Sequence, residues 1–149
     1  MEIRLSQLVN APVEKVFDVF SDISQAENRI EGITKIEMLS DVTSGVGTRW
    51  RETRILFGRE ATEEMEISAY SPNQSYEVVA ESRGMKYHSI YRFTPSADGT
   101  QVEMVFSGTA TTLATRLMSL LGFLFQGATR KALEADMVAL KKVCESPAA

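Results

Sequence analysis

Four polar side chains sit among apolar neighbours on alternating, strand-like stretches: Glu52, Arg54, Glu63 and Tyr91. Carboxylates in such a setting exchange protons, an arginine stabilises developing negative charge, and a tyrosine hydroxyl can donate or accept. Glu63 is the most informative of the four. It lies with Ala61, Met65, Ile67 and Ala69 on one face of a period-two segment, and a carboxylate on an apolar face needs a partner. A two-residue turn at Phe57-Gly58 would pair Leu56 with Arg59, Trp50 with Met65 and Glu52 with Glu63. That register keeps Trp50 and Met65 on one face and makes Arg54 the diagonal neighbour of Glu63. Two opposed carboxylates repel, so one of them is expected to have a raised pKa unless Arg54 neutralises the pair. The cluster has two readings. In a pocket it is an acid/base or polar-ligand site; near a sheet edge it is a solvated structural ion pair.

Other reactive groups are few. The chain has one His and one Cys. Hence no intrachain disulfide, thiolate cluster or His-rich metal site is expected, nor any metal or cofactor. No nucleophile, base and orienting residue can be assembled either. His88 shares its face with Lys86 and Arg92, an exposed setting, and Cys144 lies on the apolar side of a helix end as a packed thiol. Asp136 falls within the apolar arc of Leu133, Leu140 and Val143, from which it can reach a tyrosine or arginine inside a sheet.

The elements that must position these residues follow from periodicity. Residues 2–10 alternate as a strand. Residues 13–20 carry Val13, Val16, Phe17 and Phe20 at helical spacing after Pro12, which suits a first helical turn. Residues 24–30 read as a second short helix, with Ser24 and Glu27 at capping-box spacing. Six strands are then expected at 33–42, 48–56, 59–70, 75–81, 86–94 and 101–109, separated by glycine, proline and asparagine turns. Residues 112–144 read as one helix, about 50 Å long at 1.5 Å per residue. Its first half is uncharged from 117 to 129, and its second is amphipathic through Leu133, Met137, Leu140 and Cys144. The two apolar faces lie roughly 100° apart. The helix is therefore either kinked, near Gly122 or Gly127, or wrapped on much of its girth. The two glycines are compatible with a hinged wall at a cavity mouth or with tight packing. The fold class expected is α+β: a seven-stranded curved antiparallel sheet gripping a long C-terminal helix, with two short helices between strands 1 and 2.

Composition narrows the function. A chain of 149 residues fits one domain over 1–149, and 44% apolar with 24% charged residues is ordinary for a globular protein. A net charge of −4 and a pI near 5.1 argue against a nucleic-acid surface. The N-terminus does not resemble a signal peptide and the uncharged run is too short to span a bilayer, so a cytoplasmic location without an integral membrane segment is expected.

Several motifs together resemble the START-like helix-grip superfamily, also called SRPBCC or polyketide cyclase/dehydrase-like. Ala11-Pro12-Val13-Glu14-Lys15-Val16-Phe17 with Asp22 resembles its first helix, and Gly45-Val46-Gly47-Thr48-Arg49-Trp50 its glycine turn before a strand. Asp98-Gly99-Thr100-Gln101-Val102 resembles its last hairpin, and the stretch from Leu133 to Lys142 its closing helix. The resemblance covers nearly the whole chain and implies a cavity between sheet and helix. It also implies a structural role for Asp136, since the closing motif carries an Asp there. The superfamily includes carriers of lipids, quinones and hormones as well as aromatases, cyclases and hydrolases. One departure is Arg29-Ile30-Glu31-Gly32, where a Trp-Pro pair is common; the cap over the cavity is expected to be less apolar than usual.

Alternation supplies the expected lining: Trp50, Met65, Tyr87, Ser89, Met104, Phe106, Leu121 and Phe125 as ligand-binding residues, unless they simply pack as core. Three functions remain open. The first is binding of a hydrophobic small molecule such as a lipid, quinone or aromatic polyketide-like compound. The second is a cyclase or dehydratase using Glu52, Glu63, Arg54 and Tyr91. The third is a module that docks on a partner through the apolar half of the long helix, where exposed Phe123 and Phe125 would form a homodimer or membrane contact.

Overall fold

The computed structural model describes residues 1–56, 58–119 and 123–147. Strand β1 (Glu2–Val9) is followed by helix α1 (Val13–Ser21), a single 3-10 turn (Ile23–Gln25) and helix α2 (Ala26–Arg29). Six strands come next: β2 (Ile33–Met38), β3 (Arg49–Leu56), β4 (Arg59–Ser71), β5 (Ser75–Ser82), β6 (Met85–Ser96) and β7 (Gly99–Ala110). Helices α3 (Leu113–Ser119) and α4 (Phe123–Glu145) complete the order.

All strands join one antiparallel sheet in the order β1-β7-β6-β5-β4-β3-β2. Strands β3 to β7 pair antiparallel in chain order, because the short connections between them leave no chain for a crossover. The β3–β4 register is the one expected: Leu56 pairs with Arg59, Trp50 with Met65 and Glu52 with Glu63, with Gly58 at φ 74°. Register shifts between Ile33 and Lys35, and between Ile67 and Ala69, bend the sheet locally. The result is the curved seven-stranded sheet and C-terminal helix of a helix-grip fold.

Three local expectations need correction. The second helix is a 3-10 turn joined to four α-helical residues, and Ser24 does not cap it; its hydroxyl donates instead to Asp22 Oδ1 at 2.7 Å. Ser24 lies inside the 3-10 turn, and Gln25 occupies the position before α2. Strand β2 stops at Met38, four residues short of Val42; Arg49 N donates to the Ser40 hydroxyl rather than to backbone, and that hydroxyl donates to the Val42 carbonyl in a local turn. The kink expected near Gly122 lies outside the described residues. At Gly127 α4 runs on, and a Cβ placed there would meet nothing within 4 Å, so tight packing does not explain that glycine.

The core fills one end of the concave face. Phe17 of α1 meets Tyr70, Tyr76 and Phe93 edge-on, with ring centroids 5.2, 6.0 and 5.2 Å apart. Met137, Leu140 and Cys144 of α4 are buried in the same cluster. Their spacing places them on one helix face, so α1 and the second half of α4 close this end together. The other end is left open to a cavity.

Candidate ligand cavity

Alternation decides which strand residues face inward. On β3 these are Trp50, Glu52 and Arg54; on β4, Ala61, Glu63 and Met65; on β6, Tyr87, Ser89 and Tyr91; on β7, Met104 and Phe106. Together with Asp136, Leu133 and Met137 of α4 they enclose a cavity of about 1340 Å³. The structure thus places Glu52, Arg54, Glu63, Tyr91, Trp50, Met65, Tyr87, Ser89, Met104 and Phe106 on one wall system. Leu121 and the Phe125 side chain lie outside the described residues. Trp50 and Met104 are themselves buried in the wall.

The charged part of the lining has a definite geometry. Arg54 Nε donates to Glu52 Oε2 at 2.7 Å, and its two terminal nitrogens donate to Asp136 Oδ1 and Oδ2 at 3.1 and 2.7 Å. The second contact is a bidentate fork, the strong form of an arginine–carboxylate pair. Trp50 Nε1 donates weakly to the other oxygen of Glu52 at 3.4 Å. Arg54 therefore engages Glu52 and Asp136 rather than neutralising Glu63, as the diagonal register suggested. The reason is reach: β3 places Arg54 beneath α4, where Asp136 presents both oxygens. Burial alone would lower the Arg54 guanidinium; the hydrogen bonds to Asp136 and the field of Glu52 outweigh it and hold it charged. Burial also pushes the Asp136 carboxyl above the ordinary aspartate value, against the opposing pull of Arg54.

Two tyrosines show how the wall treats hydroxyls. Tyr76 stacks on Tyr91 at 4.7 Å and donates to the Phe20 carbonyl at 3.0 Å. Tyr91 makes no hydrogen bond among the described residues. Since no fully buried side-chain polar atom among them lacks a partner, its hydroxyl keeps access to the cavity. Burial raises its phenol above the ordinary tyrosine value, and the carboxylates of Asp136 and Glu52 add to this while Arg54 opposes it. Tyr91 is thus a neutral hydroxyl beside a charged cluster. Glu63 likewise has no hydrogen bond or ion pair among the described residues; it faces the cavity near Tyr87, whose phenol is raised by burial and then by Glu63. His88 lies on the outer face, 2.6 Å from Glu77. Cys144 is buried and its thiol is pushed up to about 11, chiefly by burial. Among the described residues no group of three or more His, Cys, Asp or Glu is placed to hold a metal ion, and no helix is long and apolar enough to cross a membrane.

A family model described as polyketide cyclase/dehydrase and lipid transport matches residues 1–145. The chain belongs to this family. No curated protein matches the sequence. Among solved structures the chain is similar to TTHA0849 from Thermus thermophilus, with 18% identity, TM-score 0.81 and coverage of 98% of this chain and 100% of that one. It is similar to Ara h 8.0201, with 15% identity, TM-score 0.76 and 99% coverage of both. It is also similar to the di-domain ARO/CYC StfQ from the steffimycin biosynthetic pathway, with 12% identity and TM-score 0.80, covering 97% of this chain and 50% of that one. At these identities the likeness is one of fold. Family membership supports hydrophobic ligand binding or cyclase activity in general terms.

Two parts of the cavity escape sequence reasoning. The sequence puts Asp136 within reach of an arginine but does not join it to Arg54. The rim residues Arg83, Met85, Thr115 and Arg116 also line the cavity without having been expected there. For Arg83 a signal exists: an arginine in a two-residue Arg-Gly hairpin turn, where Asn or Gly is favoured.

Proposed function

We propose that the protein binds a hydrophobic small molecule, of the size of a lipid, quinone or aromatic polyketide-like compound, between its sheet and its C-terminal helix. The observation that carries this reading is the cavity itself. At about 1340 Å³ it exceeds the roughly 300–1,000 Å³ of drug-sized sites. Its walls are mainly apolar, with Ala, Met and Ile the most frequent residues, and carry a few convergent polar groups, the pattern of a site that orients an apolar ligand. Arg54 already spends donors on two carboxylates, which favours a positioning role for the cluster. The test is native mass spectrometry on protein purified from its own host, followed by solvent extraction. A stoichiometric hydrophobic adduct is expected. A protein that is empty and takes up no lipid, quinone or aromatic compound on incubation would refute the reading.

A second reading is an enzyme of cyclase or dehydratase type. Glu63 and the Tyr91 hydroxyl favour it, because both face the cavity without a protein partner among the described residues and so are free to exchange protons with a ligand. Under this reading Glu63→Gln preserves folding and ligand uptake while turnover is lost. Unchanged turnover would leave binding alone.

A further inference from the structure

The charges on the cavity wall are not evenly distributed. The inner part carries three carboxylates, Glu52, Glu63 and Asp136, against one guanidinium, Arg54. Glu52, Arg54 and Asp136 are largely shielded from solvent. The rim at the β5–β6 turn carries two arginines, Arg83 and Arg116, which line the same cavity. Arg83 makes no hydrogen bond or ion pair among the described residues. It stands at φ 51°, with Gly84 at φ 79°, a left-handed position that an arginine occupies at some steric cost. Helix α3 locks onto this turn: Thr115 Oγ1 donates to the Gly84 carbonyl at 3.0 Å and Thr111 N at 2.8 Å. Arg116, the residue after Thr115, is thereby fixed to the same rim. Strand β6 serves as a ruler between the two regions. Met85 lines the rim, Tyr87 lies near Glu63, and Tyr91 lies beside the Asp136–Arg54 cluster. Tyr91 lies six positions beyond Met85, about 20 Å of extended chain.

We propose that the cavity takes its ligand in one orientation, with an uncharged hydrogen-bond-donating end such as an alcohol or phenol inward at the acidic cluster, and any anionic group outward at the Arg83 and Arg116 rim. This rests on the ligand-binding reading above and adds polarity to it. A hydroxyl donates to Glu63 or accepts from Tyr91 without bringing charge inward. A carboxylate at the same place would sit among three others in a shielded site, an uncompensated charge. At the rim the same carboxylate meets the Arg83 guanidinium and solvent, with Arg116 adding positive charge nearby.

Competition against N-phenylnaphthylamine, a neutral fluorescent apolar probe, tests this. The competitors are ω-hydroxypalmitic acid and the α,ω-dicarboxylic acid of equal length. Both can place one carboxylate at the rim, but the diacid must also bury one. The hydroxy acid should displace the probe at least about tenfold more tightly. Arg83→Glu should weaken the hydroxy acid more than hexadecanol, and Glu63→Gln should narrow the gap between hydroxy acid and diacid. Equal affinity for hydroxy acid and diacid in the wild type overturns the orientation while leaving the cavity reading intact. If neither the probe nor any competitor binds, the cavity reading itself fails, and the orientation with it.

Discussion

Strand β3 carries two arginines three residues apart, and each holds two carboxylates. Arg51 on the outer face bonds Glu37 and Glu64, both at 2.9 Å. Arg54 on the inner face bonds Glu52 and Asp136, both at 2.7 Å. The chemistry is the same and the surroundings differ. The outer side chains are 40%, 46% and 53% exposed; the inner ones are 20%, 8% and 14% exposed. In water the outer triad gains little, because screening and side-chain entropy consume the attraction. Inside, each charge depends on the others, since each has lost most of its hydration. One strand thus makes a surface feature on one side and the polar anchor of a cavity on the other. Only the helix above it, with Asp136, separates the two outcomes.

The largest effect should come from breaking the inner triad. Arg54→Ala leaves Glu52 and Asp136 shielded without a cation and should destabilise the fold by about 3 kcal/mol, read by urea denaturation. A loss under about 1 kcal/mol would mean that water already serves the cluster. Replacing all three partners together, Glu52→Leu, Arg54→Met and Asp136→Leu, should restore most of that stability while weakening selection for a hydroxyl-bearing ligand. Next comes Tyr76→Phe, which removes the buried hydrogen bond to the Phe20 carbonyl. It should lower stability by about 1–2 kcal/mol without changing ligand charge preference.

Arg51→Ala on the outer face should change stability by less than about 1 kcal/mol, and even that should fade in high salt. An outer loss matching the inner one would erase the contrast. The smallest effect at neutral pH belongs to Cys144. Its thiol is raised from 9.0 to about 11 in the fold, so the unfolded chain ionises first. Stability is then unaffected by this group below pH 9 and falls as pH rises from 9 towards 11. Cys144→Ala should flatten that alkaline decline in thermal melts.

How much of this was legible follows physical lines. The β3–β4 register was legible because Phe57-Gly58 and the shared face of Trp50 and Met65 constrain neighbours in the chain. The two-residue period of a strand put Glu63 on a face with Met65 and Tyr91 on a face with Tyr87, but left open whether Glu52, Glu63 and Arg54 face a pocket or a solvated sheet edge. The fork between Arg54 and Asp136 joins residues 82 apart. It depends on how α4 lies across the sheet, which no local pattern encodes. Ser24 shows the opposite limit: its spacing to Glu27 fits a capping box, yet Asp22 two residues earlier takes its hydroxyl.

The most direct test uses Trp50, the chain's one tryptophan, buried in the cavity wall. Bromine quenches indole emission only near contact, so a neutral brominated long-chain alcohol reports occupancy of this cavity alone. Saturable quenching of Trp50 at one ligand per chain, reversed by an unbrominated competitor, is the result expected. Binding of the alcohol with Trp50 emission unchanged would place the ligand elsewhere and contradict the account.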